Sequence, residues 1–195
     1  MRSMNEHLEK ERSHVDYFAV IHRFIPPDSQ FYRIYVPHVA CVTQKALRIA
    51  DRLGLDAEQK RFIEEAAMLH DIGVVRVDAP ELGCHGDLPY YVHIVEGGRI
   101  LRSIGLSRHA RVAERHIGVG LEARDIEAQS LPLPDRDFIA ETLEEQLISW
   151  ADLFFGKHPD QLWIERSIAE VRSKVVDYGD RHVETFDRWL ARFGA

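Results

Sequence analysis

Residues 66–73 read AAMLHDIG. A helix-forming apolar run ends on an imidazole, His70, and a carboxylate, Asp71, and stops at Gly73. An isolated buried charge costs several kcal/mol even after relaxation, so a buried Asp is normally paired or bound to a cation. Successive helical residues point about 100° apart and do not face each other. Both can still reach a cation lying off the helix end. Two readings stay open on this stretch alone. Either His70 and Asp71 hold a metal, or Asp71 caps a turn and His70 is a satisfied core histidine.

Working outward, helical periodicity dominates. The helix ending at the HD pair starts behind Asp56. Before it, Asp28 or Ser29 can cap a helix running to about Leu53, with Val39, Val42, Ala46, Ile49 and Leu53 on one face. Pro37 should kink that helix or shift its start. An amphipathic segment spans about 4–25. Residues 73–88 read as a long loop, a kind that is often functional. Helices follow at about 89–104, at about 107–117 with Ser107 as cap, and at about 140–156. The irregular LPLPDRD stretch precedes the last of these, and amphipathic helices broken near Gly179 fill about 160–193. The expected fold is all-α, one domain over 1–195 with its core at about 29–157.

Composition narrows the function. The chain has 195 residues, 45% apolar and 29% charged, which suits a globular domain with a real core. Its net charge of −7 argues against nucleic-acid binding by bulk charge. No apolar run approaches the roughly 20 residues of a membrane span, and the polar N-terminus lacks a secretory h-region. Cys41 and Cys84 have no paired spacing, so a reducing, cytoplasmic setting is expected. Histidine is the outlier, with eleven copies.

Several of these histidines occupy apolar helical positions. His38 lies in YVPHVACV, His93 in YYVHIVEGGRIL and His116 at the end of ARVAERH. Asp152 lies in QLISWADLFFG, flanked by Ile148, Trp150, Leu153, Phe154 and Phe155, and needs a cationic partner. Any one of these could be a satisfied core residue, but four His and two Asp are harder to explain singly. Imidazole with carboxylate suits Fe, Mn, Ni, Co or Zn rather than Ca or Mg alone. Six ligands exceed one tetrahedral ion and suggest two, with a carboxylate bridge. Such pairs suit phosphoester hydrolysis, because bound water is acidified and both oxygens in flight are clamped. His7, His14, His22, His109, His158 and His182 are read as structural or solvated. Arg115, Lys157 and Arg76 are the candidate phosphate contacts, through charge and, for Arg, a planar fork. Arg99, Arg102, Arg108 and Arg111 read as solvating a helix face. Tyr90 and Tyr91 could stack on a base, although aromatics at a helix start are more often core.

His38, then His70-Asp71, then Asp152 resembles the H…HD…D signature of the HD superfamily of metal-dependent phosphohydrolases. HDIG at 70–73 is similar to the variant common in its small members, and His93 and His116 to the added histidines of its dinuclear subset. The resemblance covers about residues 35–157. It implies a bundle of about five core helices. It also implies one metal on His38, His70, Asp71 and Asp152, and a second on His93 and His116, bridged by Asp71. Asp71 and His70 would be the catalytic centre. The implied cofactors are one or two divalent ions, Fe or Mn first, with Ni, Co, Zn and Mg acceptable. The implied substrate is a small phosphate compound or nucleotide, attacked by a metal-activated hydroxide. The layout is also similar, more loosely, to small HD hydrolases of dinucleoside tetraphosphates. Two departures stand out. No Lys follows the HD pair and no GYP occurs, which disfavours cyclic di-GMP. Ile72-Gly73-Val74 also lacks the acidic residue frequent in members acting on deoxynucleoside monophosphates. The same ligands serve a di-iron oxygenase in some HD proteins, and a catalytically silent nucleotide-binding module is a third alternative. The C-terminal helices could pack on the core or on a second subunit, as a homodimer.

Overall fold

A computed structural model of the chain describes residues 14–194. The chain is all-α. Among the described residues there are nine α-helices: α1 Tyr17–Phe24, α2 Gln30–Arg52, α3 Ala57–Leu69, α4 His93–Ser103, α5 Ser107–Arg115, α6 Ala123–Ala128, α7 Leu143–Asp152, α8 Ile168–Val176 and α9 Asp180–Phe193. The part of the amphipathic segment before residue 14 lies outside the described residues. None of the helices described is long and apolar enough to cross a membrane.

Side-chain caps set several boundaries. Ser29 accepts from Tyr32 N, so it and not Asp28 starts α2. Asp56 with Gln59 and Thr142 with Glu145 form capping boxes on α3 and α7. α2 continues through Pro37, and its start at Gln30 is not shifted by the proline. The helix is buried before the proline at Phe31, Ile34 and Tyr35 and after it at Val39, Val42, Ala46 and Ile49, so packing outweighs the lost hydrogen bond. Ser107 is the first helical residue of α5, not its cap. α7 ends at Asp152, short of the expected 156. Residues 73–88 are more ordered than a loop. They hold a 3₁₀ turn, Ile72–Arg76, and a two-rung antiparallel ladder pairing Asp78 with His85 and Ala79 with Cys84. α6 had no counterpart among the expected elements.

Two large apolar clusters form most of the interior, beside a smaller third one of Ile94, Leu121, Ile126 and Phe138. One gathers Val42, Ala46, Ile63, Leu147, Trp150, Phe154, Phe186 and Phe193, and so joins α2, α3 and α7 to α8 and α9. The other gathers Ile21, Tyr35, Val39, Leu69, Ile72, Val74, Leu101 and Ala110. α2 packs on α3 and α7, and α4 packs on α5 and on the 3₁₀ turn after the HD pair. Gly73 makes that last contact close. A β-carbon there would collide with the His93 carbonyl and the Gly97 amide, and would lie 2.9 Å from Gly97 Cα. Gly97 in turn sits against Ala113 of α5. Backbone contact at small residues thus draws α4 and α5 onto the end of α3.

Candidate metal centre

Three histidines sit where a helical element ends. His70 is the C-cap of α3, His116 that of α5, and His93 that of the 3₁₀ turn Tyr90–Val92. The last carbonyls of a helix have no partner within it. Each ring satisfies one. His70 Nδ1 donates to Ala67 O at 2.7 Å, His93 Nδ1 to Tyr90 O at 2.6 Å, and His116 Nδ1 to Ala113 O at 2.9 Å. That bond places the proton on Nδ1 and leaves Nε2 with its lone pair, the arrangement found in metal-binding histidines.

The Nε2 atoms converge on Asp71. Its Oδ2 lies 3.1 Å from His38 Nε2 and 3.3 Å from His70 Nε2. Its Oδ1 lies 3.6 Å from His93 Nε2 and 3.4 Å from His116 Nε2. Asp152 Oδ1 joins the first group, 3.1 Å from His38 Nε2 and 3.5 Å from His70 Nε2. Two sets of ligand atoms result, His38/His70/Asp71/Asp152 and Asp71/His93/His116, each within 4.8 Å. They share the Asp71 carboxylate, one oxygen facing each set.

These atoms lack ordinary partners. His38 Nε2, His70 Nε2, Asp71 Oδ1 and Asp152 Oδ1 are buried with no hydrogen bond, while Asp71 Oδ2 has the Lys157 ammonium 2.7 Å away. His93 Nε2 and His116 Nε2 face each other at 3.4 Å, and both Nδ1 protons are already used. Two lone pairs at that distance need a positive charge between them. Orphaned buried acceptors are costly and rare in native proteins. The donor set is imidazole with carboxylate, which fits a transition-metal dication. Electrostatics agree with the geometry. Burial pushes His70 down, but the Asp71 and Asp152 charges outweigh it and lift the pKa to about 10, so without a metal a proton occupies the Nε2 position that a cation would take. Burial raises the Asp71 and Asp152 carboxyls, yet the Lys157 ammonium and the imidazoles around them hold both well below the usual range. His93 falls to about 3, chiefly through burial, and stays neutral. The buried HD-type cluster is thus compatible with a metal site.

The three basic candidates separate. Lys157 reaches the cluster, its Nζ 2.7 Å from Asp71 Oδ2. Arg115 is paired with Glu141 at 2.8 Å and Glu145 at 3.3 Å. Arg76 is exposed, at the end of the 3₁₀ turn. Asp152 keeps 17% side-chain exposure, so it has more access to water than its apolar neighbours suggested. Two of the histidines read as structural or solvated are structural: buried His109 pairs with Glu65 at 3.2 Å, and buried His182 packs beside Arg181 and Asp125. Arg102 and Arg111 make ion pairs with Glu114 and Glu145, rather than merely solvating a face. Glu145 and Glu114 are buried acidic anchors that sequence reasoning passed over. Tyr90 was also passed over in favour of a core reading, and it stands over His93 with ring centroids 4.7 Å apart.

No family model matches the chain. It is 31% identical over 140 residues to a protein of Picrophilus torridus named tRNA (cytidine(56)-2'-O)-methyltransferase, covering 67% of this chain and 36% of that one. A protein of the same name from Thermoplasma volcanium is 27% identical over 157 residues, 80% of this chain and 41% of that one. The chain therefore spans about two-fifths of these curated relatives. An uncharacterised protein of Methanocaldococcus jannaschii is 34% identical over 126 residues, 62% of this chain and 66% of that one. Among solved structures, the chain is similar to the HD domain of the Listeria monocytogenes phosphodiesterase PgpH in complex with cyclic-di-AMP. That similarity has 15% identity and a TM-score of 0.49, over 90% of this chain and 93% of that one.

Proposed function

We propose that the chain is an HD-superfamily metal-dependent phosphohydrolase, acting on a phosphoester or phosphoanhydride, with a nucleotide as the favoured substrate class. The observation that carries this reading is the convergence of imidazole Nε2 and carboxylate oxygen atoms on one buried volume, divided by Asp71 into two sets. His38, His70, Asp71 and Asp152 would hold one cation, and Asp71, His93 and His116 a second, with iron or manganese first in order. Bound divalent ions supply Lewis acidity toward water and a phosphoryl oxygen. The chain supplies the rest. The i−3 carbonyls fix three imidazoles in the ligating tautomer. Asp152, the partly exposed member, faces the side from which water and substrate enter. Lys157 offers an ammonium to the substrate's anionic oxygens beside Asp71. The working unit is a single HD domain with its core at about 29–157.

The test is a panel of nucleotides and phosphomonoesters with protein loaded with manganese or iron. Release of phosphate or a nucleoside monophosphate is expected, and it should vanish in Asp71→Ala with the helical circular-dichroism signal retained. Full turnover by that variant would remove the mechanism. Oxygen consumption confined to the iron form would instead favour oxygenase chemistry. The relatives' name gives a second reading, a part in tRNA 2'-O-methylation. It rests on a match to 36% and 41% of those chains, so the name belongs to much longer proteins. Methyl transfer from S-adenosylmethionine to tRNA by this chain alone, without metal, would support it over hydrolysis.

A further inference from the structure

Lys45, Arg48 and Arg52 stand three and four residues apart on α2, so they share one face of that helix, where like charges repel. All three line a cleft of about 210 Å³ between α2 and the ends of α7 and α9. The one carboxylate lining it is that of Glu165, 2.6 Å from Lys45 Nζ and 3.5 Å from Arg48 Nη2. Three cations less one carboxylate leave two positive charges in excess, on a chain whose net charge is −7. Donors also remain. Arg48 bonds only Gln44 and Glu165 among the described residues, and Arg52 donates to Phe193 O at 2.6 Å. The apolar wall supplies an independent observation. Trp150 lines the cleft and is 1% exposed, and its indole N–H is buried with no hydrogen-bond partner among the described residues. A buried donor left in that state is costly and rare. Phe154 and Phe193 also line the cleft, their ring centroids 5.0 and 6.4 Å from that of Trp150. None of the lining residues belongs to the candidate metal centre.

We propose that this cleft binds a small phosphate monoester with an apolar body, at a site separate from the metal centre. A phosphate monoester carries about −1.5 to −2 charges at neutral pH, which matches the excess, whereas a carboxylate would leave one cation unanswered. The guanidinium forks of Arg48 and Arg52 suit its oxygens. The aromatic wall takes the apolar body, and an oxygen of the ligand gives the Trp150 N–H its missing acceptor. Glu165 stands in for the anion in the free protein. Arg48 is 55% exposed and Glu165 42%, and exposed ion pairs are weak, so a doubly charged ligand can displace that carboxylate.

The experiment titrates phenyl phosphate into the isotope-labelled full chain, with magnesium present, and follows the three tryptophan indole N–H signals by NMR. The Trp150 signal is assigned by its absence in Trp150→Phe. In the wild type that signal should move downfield and saturate, as the N–H gains an acceptor. Arg48→Gln, a change at an exposed side chain, should weaken binding about tenfold, the loss of one charge-assisted contact. Glu165→Gln removes the competing carboxylate and should tighten binding. Asp71→Asn disables the metal centre and should leave the affinity unchanged. Benzoate, with the same ring and one charge, should bind more weakly. An unmoved Trp150 signal, wild-type affinity in Arg48→Gln, or unchanged or weaker binding in Glu165→Gln would overturn the site. Loss of binding in Asp71→Asn would overturn it too, by assigning the phosphate to the metal centre. Benzoate binding as tightly as phenyl phosphate would overturn the ligand class.

Discussion

At the scale of single residues, Asp71 decides most. Its side chain has no exposure, and each oxygen faces a different pair of imidazoles. Asp71→Asn keeps the shape and removes the charge. Metal content should fall below one ion per chain by elemental analysis, because neither set then has its shared anion. Removing a group that only orients a metal ligand typically costs about 10–100-fold in metal affinity, and removing a shared ligand should cost more. A residue away from the centre gives a pH test. Burial raises the Glu114 carboxyl, but Arg102 at 2.6 Å and Arg136 at 3.0 Å outweigh it and lower the pKa below its ordinary 4.5. A lowered folded pKa contributes stability that is present above the ordinary value and is lost as pH falls through the folded one. The urea midpoint of wild type should exceed that of Glu114→Gln at neutral pH, and the gap should close as pH drops well below 4.5. The residues legible in the sequence were those whose polarity clashed with their neighbours: His70, Asp71 and Asp152 stand out in apolar runs. Tyr90 did not, because an aromatic beside a helix start looks like core until His93 is placed against it. His109 did not either, since its partner Glu65 lies 44 positions away in sequence.

At the scale of elements, the centre depends on how closely α4 approaches the end of α3. Gly73 sets that distance, because a side chain there meets the His93 carbonyl and the Gly97 amide, both backbone. Gly73→Ala should therefore cost about 1–3 kcal/mol, the usual penalty of overpacking a core. It should also displace His93 from Asp71, so thermal melting would show a lower midpoint together with a weaker second metal. A melting point matching wild type would show that the contact yields more easily than backbone should. Helices with strong face patterns and side-chain caps were readable from the chain. Their exact ends were less so, as α7 shows by stopping at Asp152, and Pro37 does not shift the start of α2 because Ser29 caps it and residues on both sides of the proline are buried.

At the scale of the whole molecule, the ligands come from α2, the ends of α3 and α5, the start of α4 and the end of α7. A cation that binds only when these helices are docked stabilises the entire fold by linkage. At a metal concentration about 100 times the Kd that is about 2.7 kcal/mol, or on the order of 5–10 °C in Tm for a chain of this size. Manganese should raise the Tm and a chelator should reverse it. The all-α class was legible because helical periodicity runs through nearly the whole chain, whereas the ladder at Asp78–Ala79 and Cys84–His85 is too short to leave a pattern.

The most direct test is a crystal structure of purified protein with anomalous scattering measured at the metal edges, alongside elemental analysis. The account predicts two anomalous peaks on either side of the Asp71 carboxylate, one against His38, His70 and Asp152 and the other against His93 and His116. A metal-soaked crystal with no peak there, and Asp71 held only by Lys157, would contradict it.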